Sequence, residues 1–204
     1  MDARSARKHE SILEAATSVF LSKGYAGTSM DDIAKLAAVS KQTVYKHFAD
    51  KPSLFTEIIH TGLDRTDDLA DRVTGPLADS EDVDRDLTTI ARRFAAVLTE
   101  PRLLALRRLV IAEADRFPEL GRAYYERGPE RIHALMAESL LRLRERGVLT
   151  RLDDPLLAAH HFTSMISTPP QSRVMFCGPG VEFTRAELDG YADAAVRVFL
   201  AAYR

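Results

Sequence analysis

Residues 28–51, TSMDDIAKLAAVSKQTVYKHFADK, read as two short helices on either side of a tight turn, the second polar along most of its length. Thr28 and Ser29 are helix N-cap types, and Asp31 and Asp32 lie three residues beyond each, so either register opens a helix with acid in its first turn. Ile33, Leu36 and Ala37 supply an inward face. Ser40 is a second cap, from which a new helix begins at Lys41. At about 100° per residue, Val44 and Phe48 share one side of that helix, Gln42 and Lys46 point nearly opposite, and Thr43 and Tyr45 flank them. Asp50 is a third cap, with Pro52 near the first helical position and Lys51 beside the exposed amides of the next helix.

A helix of this size fits the DNA major groove, and a polar outer face is what base edges and phosphates require. Gln42 can pair with adenine, and Thr43 can meet a thymine methyl or a base edge. Tyr45, His47 and Lys51 can reach phosphate oxygens, Lys41 and Lys46 add positive charge, and Thr28 and Ser29 stand where the first motif helix would meet phosphate. These nine residues are the candidate DNA contacts. The competing reading is an ordinary helical pair of a bundle, with Lys41, Lys46 and Lys51 as a solvated face. Charge alone does not decide it, since residues 38–51 carry those three lysines against Asp50.

Several linked motifs stand in one order: Ser11-Ile-Leu-Glu-Ala-Ala running to Phe20, Lys23-Gly-Tyr-Ala-Gly-Thr-Ser, Asp32-Ile-Ala, Ala38-Val-Ser-Lys-Gln-Thr-Val-Tyr-Lys-His-Phe, and Asp50-Lys-Pro-Ser-Leu-Phe. Over about the first 60 residues the chain resembles the TetR/AcrR family of bacterial repressors. Later stretches, from Leu106 to Ala114, Arg116 to Leu120 and Arg146 to Pro155, are similar to one subgroup of that family's regulatory domains. Ala38 departs from the glycine usual in the family's turn, which predicts a less extreme backbone angle there.

The resemblance implies an all-α fold: a three-helix helix-turn-helix DNA-binding domain over residues 1–50, then a helical-bundle regulatory and dimerisation domain over 51–204, entered by a long connecting helix at about 51–73. It implies a homodimer bound to double-stranded operator DNA, a palindrome, and released from it by a small-molecule effector, with repression as the usual mode. Arg4, Arg7 and Lys8 could add contacts from a flexible N-terminal arm.

Bulk properties agree with such a regulator. The 204 residues are 46% hydrophobic, enough for a packed core, and the net charge of −2 means that DNA affinity must come from local placement of charge. Cys177 is the sole cysteine, so no internal disulfide framework exists and a reducing compartment fits. No apolar run approaches the ~20 residues of a membrane span, and the charged N-terminus lacks a signal peptide's apolar segment. A cytoplasmic location is expected, without membrane contact.

Helical periods run through the rest. Ile12, Ala15, Ala16, Val19 and Phe20 make one helix face, ended by Gly24. Leu54, Phe55, Ile58, Ile59 and Leu63 are the packed side of the long helix, which should stop before Gly75-Pro76. Residues 74–86 read as an acidic connector with Gly75, Pro76, Asp79 and Asp82. Further helices are expected at about 86–99, 101–115, 119–146 with a possible break at Gly128-Pro129, 154–167 and 184–203. Residues 168–183, with Pro169-Pro170 and Gly178-Pro179-Gly180, are expected as a loop.

In the second half, Leu156, Ala159, Phe162, Leu188, Tyr191, Ala195, Val198 and Phe199 are candidates for the paired C-terminal helices through which the family dimerises; an internal core is the alternative. Phe94, Leu98, Leu104, Arg107, Val110, Phe117, Tyr124, Met136, His161 and Phe162 are candidates for an effector cavity. Catalysis finds little support and no enzyme is expected. His160 and His161 diverge by about 100° on a helix, His133 is distant in sequence, and Cys177 has no histidine partner in view. No metal and no cofactor are expected. A helical enzyme and a helical protein-interaction module that leaves DNA alone are the rival functions, and duplex binding separates both from the DNA reading.

Overall fold

The structure, a computed structural model, describes residues 3–74, 77, 80–178 and 180–204, and the side chains of Ala3 and of residues 65–74 are outside that description. Gly75, Pro76 and Asp79 of the expected connector, and Pro179 of the expected loop, therefore lie outside the described residues. Among the described residues the regular elements are helical: α1 (Ala3–Gly27), α2 (Met30–Leu36), α3 (Lys41–His47), α4 (Lys51–Thr74), α5 (Val83–Leu98), α6 (Pro101–Glu113), α7 (Pro118–Tyr125), α8 (Arg131–Glu145), α9 (Pro155–Cys177) and α10 (Arg185–Tyr203). No helix among them is long and apolar enough to cross a membrane.

Two compact units form, one from Met1–Asp64 with Ala105–Tyr124, the other from Arg65–Leu104 with Tyr125–Arg204. The boundary expected at 50/51 thus falls inside the first unit when packing is the criterion. That unit's core joins Ile12, Ala16, Val19 and Phe20 of α1, Ile33 of α2, Val44 of α3, and Leu54, Phe55, Ile58, Ile59 and Leu63 of α4 with Leu106, Leu109, Val110 and Leu120. Each fully buried large side chain contributes about 1.5–3 kcal/mol. Phe20, Tyr25, Phe55 and Phe117 form an aromatic group, with Tyr25 5.0 Å from both Phe55 and Phe117 between ring centroids. Gly24 interrupts α1 at φ 71°, ψ 175°, a region open to glycine almost alone, which turns the chain toward α2 as its position predicts. Arg4, Arg7 and Lys8 ride on the first turns of α1, which is helical from Ala3, rather than on a flexible arm.

In the second unit α5, α8, α9 and α10 enclose a core that includes Leu87, Phe94, Leu98, Met136, Leu140, Ala159, Phe162, Ile166, Ala195 and Phe199. Arg92 grips Asp193 through two parallel 2.8 Å hydrogen bonds, fixing α5 against α10. The Thr184–Glu187 capping box opens α10 as its sequence predicts, with both reciprocal bonds present. Asp154 caps α9 by accepting from the Leu156 and Leu157 amides, and Pro155 takes the first helical position.

One expectation fails here for an identifiable reason. Residues 168–177 are not loop: α9 continues through Pro169 and Pro170 to Cys177. An interior proline costs about 3 kcal/mol in an exposed helix, yet Phe162, Ile166, Pro170 and Val174 lie four apart and all are buried, so one packed stripe outweighs the local preference. At Gly128-Pro129 the regular α-helix is interrupted, at the position where the sequence allowed a break. Glu126–Glu130 form a π-turn leading directly into α8, a wider turn that accommodates the missing proline N–H.

Candidate nucleic-acid interface

The first unit presents α2 and α3 as an open pair. Ser29 caps α2, its Oγ accepting from the Asp32 amide at 3.1 Å and donating to the Asp32 carboxylate at 2.8 Å. The carboxylate of Asp32 is held below its usual range by the Ser29 hydroxyl and by Lys23. Ser40 caps α3, accepting from the Thr43 amide at 3.1 Å while the two hydroxyls meet at 2.8 Å. Between the helices lies the turn. The Val39 amide donates to the Ala34 carbonyl and the Ala38 amide to the Lys35 carbonyl, the two bonds of a Schellman motif, and they require a left-handed residue at Ala38.

Ala38 has φ 53°, so the less extreme angle expected there is wrong. The hydrogen bonds of the flanking residues override alanine's preference, against a strain of roughly 1–2 kcal/mol.

On α3 the anchor is as narrow as its period predicts: Val44 is fully buried and Phe48, the C-cap, is 3% exposed. Gln42, Tyr45 and Lys46 are exposed, Tyr45 at 45%. Thr43 is half-buried with its hydroxyl on Ser40, and His47 is half-buried with its ring 5.7 Å from His9. Burial first, then the neighbouring His9, Lys46 and Lys8, press His47 toward its neutral form. Lys41 is exposed and pairs with Asp31 of α2 at 2.9 Å, which raises its pKa.

Thr28 requires correction. It is 3% exposed and its hydroxyl donates to the Gly24 carbonyl at 2.7 Å, so it latches the end of α1 to the start of α2 and offers no side chain to phosphate. Ser29, one residue on, is exposed.

Asp50 caps α4, accepting from the Ser53 amide at 2.8 Å and hydroxyl at 2.6 Å, and these bonds hold its carboxyl below the usual range. Lys51 is half-buried with Nζ 4.4 Å from the Tyr25 ring centroid. Arg116 lies over the same ring at 4.6 Å. Burial, then the Arg116 charge, lowers the Lys51 pKa. Arg116 is a residue that sequence reasoning missed at this site: it stands 65 positions from Lys51, and no local pattern relates them.

The residues expected to line an effector cavity are drawn from both units. Val110, Phe117 and Tyr124 pack in the first unit's apolar cluster, and Arg107 lies on that unit's portion of α6. Phe94, Leu98, Met136 and Phe162 are in the second unit's core, and Leu104 is buried. His161 is exposed and meets the Tyr203 hydroxyl at 2.6 Å. Of the expected dimer residues, Ala159, Phe162, Leu188, Ala195 and Phe199 are buried within the protomer, because they face the α5–α8 side of their own helices. Leu156 at 42% and Val198 at 57% remain exposed, Tyr191 is half-buried, and Leu157 joins them at 50%.

Histidines expected to stay apart converge. Glu130, His133 and His160 bring one ligand-type atom each within 4.8 Å of the others, which corrects the inference drawn from their distance in sequence.

Comparison with known proteins accords with this geometry. Residues 12–58 match the family described as "Bacterial regulatory proteins, tetR family", and residues 85–204 match "AefR-like transcriptional repressor, C-terminal domain". A TetR-family transcriptional regulator from Mesorhizobium loti is 46% identical, with 99% of each chain covered and a TM-score of 0.88. The flavonoid-responsive regulator FrrA is 30% identical over 97% of each chain, with a TM-score of 0.71. Among curated relatives, the helix-turn-helix regulator YhgD of Bacillus subtilis is 46% identical over 80 residues, 39% of this chain and 42% of that protein, so less than half of the relative's length is matched. The chain belongs to the TetR family of helix-turn-helix transcriptional regulators.

Proposed function

We propose that two copies of this chain bind a palindromic operator as a repressor and leave it when a small molecule binds. The observation that carries the reading is α3 itself, anchored by Val44 and Phe48 with Gln42, Tyr45 and Lys46 turned outward. In the complex, α3 of each protomer enters successive major grooves roughly 34–36 Å apart. Gln42 reads adenine, Thr43 reads a methyl or a base edge, and Ser29, Lys41, Tyr45, Lys46, His47 and Lys51 hold phosphates. Lys51 reaches phosphate by leaving the Tyr25 ring. Residues 1–50 act as the reading head, and α4 links them to a sensing and dimerising remainder.

Dimerisation uses the exposed apolar side of α9 and α10, with Leu156, Leu157, Tyr191 and Val198 at its centre. An effector shifts the pair to a form with wrongly spaced reading heads, and a preference of about 10⁴-fold for that form changes occupancy from nearly full to nearly none. FrrA, named for its response to flavonoids, supports small-molecule control. The cytoplasm is the compartment this role requires. Selection of bound duplexes from random DNA by the purified protein tests the reading. A two-fold symmetric consensus with half-sites one helical turn apart is expected; recovery of no duplex, or of an asymmetric site bound by a monomer, refutes it.

A further inference from the structure

We propose that Glu130, His133 and His160 form a binding site for a zinc-type transition-metal dication, one per chain, with a fourth coordination position open to water or a small ligand. Glu130 closes the π-turn before α8, His133 follows three residues later on the same face of the helix, and His160 reaches them from α9. Their ligand atoms all lie within 4.8 Å of one another. Zinc bonds nitrogen and oxygen at about 2.0–2.2 Å, so tetrahedral ligands stand about 3.4 Å apart and the three groups need draw in by no more than about 1.4 Å.

A second observation points to a missing partner. His133 Nδ1 is buried with no hydrogen-bond partner, the one such side-chain atom among the described residues. The His133 and His160 rings lie 3.9 Å apart between centroids and tilted by 46°, close enough to share an ion. The Tyr125 hydroxyl hydrogen-bonds the Glu130 carboxylate and so orients the anionic ligand from outside.

Two imidazoles with one carboxylate is a donor set for Zn²⁺, Co²⁺ or Ni²⁺ and a poor one for Mg²⁺ or Ca²⁺, which take oxygen. The π-turn at Glu126–Glu130 ends on the first of these ligands, and such turns recur at functional sites.

The test uses full-length protein without an affinity tag, stripped by a chelator and titrated with Co²⁺. One Co²⁺ per chain is expected, with the strong visible absorption of four-coordinate cobalt, displaced by Zn²⁺ and indifferent to Mg²⁺. His133→Ala and His160→Ala should each weaken binding by more than about 100-fold, and Tyr125→Phe by about 10-fold. His161→Ala, one position along and turned to Tyr203, should bind as the parent does. Zn²⁺ should raise the unfolding temperature of the parent and not of His133→Gln, which guards against a variant that merely misfolds. Cobalt bound no more tightly by the parent than by the His133 variants, or equal weakening by His161→Ala, overturns the site. Neither readout involves DNA, so the result stands apart from operator recognition.

Discussion

Helices α3 and α9 are built on opposite terms. Lys41–His47 is seven residues long with Val44 as its buried residue, whereas Pro155–Cys177 spans 23 residues and buries a stripe from Ala158 to Val174. A seven-residue helix has no stability of its own in water, so α3 depends on the Ser40 cap, the Val44 anchor and the turn before it. Its poverty of packing leaves most of its surface available to a partner. Helix α9 has packing to spare, enough to carry two adjacent prolines in its interior, and leaves large apolar side chains open only near its two ends, Leu156 and Leu157 at the start and Phe176 at the finish. Recognition here is assigned to the element held by its ends, and rigidity to the element held along its length.

The contrast breaks most visibly at Phe162. Phe162→Ala should lower unfolding free energy by about 3–5 kcal/mol in a denaturant titration, since the ring is fully buried and packs at 5.0 Å on Phe199. A loss below about 1 kcal/mol would mean that α9 is not held by its stripe. On α3 the larger effect should fall on binding. Gln42→Ala is expected to weaken the selected operator by ~1–3 kcal/mol and to blur one base position per half-site, leaving the unfolding midpoint unchanged. Intact base preference would remove Gln42 from the reading set.

The turn gives a change of opposite sign. Ala38→Gly should stabilise the protein by about 0.5–1 kcal/mol, the relieved left-handed strain less the extra freedom of unfolded glycine, as a rise in thermal midpoint. A fall would show that the alanine methyl makes a contact worth more than the strain.

The smallest effect concerns acid. Because Ser53 depresses the Asp50 carboxyl, its stabilisation is complete above the ordinary aspartate value near 3.9 and is lost as pH falls through the lower folded value. The advantage of the parent over Asp50→Asn should therefore be present at neutral pH and vanish in acid. A gap constant across that range would contradict the assigned cap.

What could be read from sequence follows the range of the forces involved. Ser29, Ser40, Asp50 and Thr184 announce their caps because a cap acts over three residues, and Val44 with Phe48 is visible because helical period is local. The φ of Ala38 was hidden because it is imposed by bonds between Ala34, Lys35 and their neighbours rather than by alanine itself. The passage of α9 through Pro169-Pro170 was hidden for the same kind of reason, with tertiary burial overriding a local breaker. Which faces of α9 and α10 turn inward depends on α5 and α8, so Ala159, Phe162 and Ala195 read equally as interface or core. Arg116 beside Lys51 and His160 beside His133 are meetings across long stretches of chain, and no spacing rule reaches them.

The ion pair between Lys41 and Asp31 bears on how the reading head would respond to ionic strength. Lys46 is exposed and has no carboxylate partner among the described residues, so a phosphate contact there would shed about one cation from the duplex. Lys41 would first have to abandon Asp31, which would then gather a cation of its own from solution, and the two exchanges would nearly cancel. Two lysines five residues apart on one helix would therefore register unequally in the slope of affinity against salt, and Asp31→Asn would make them alike.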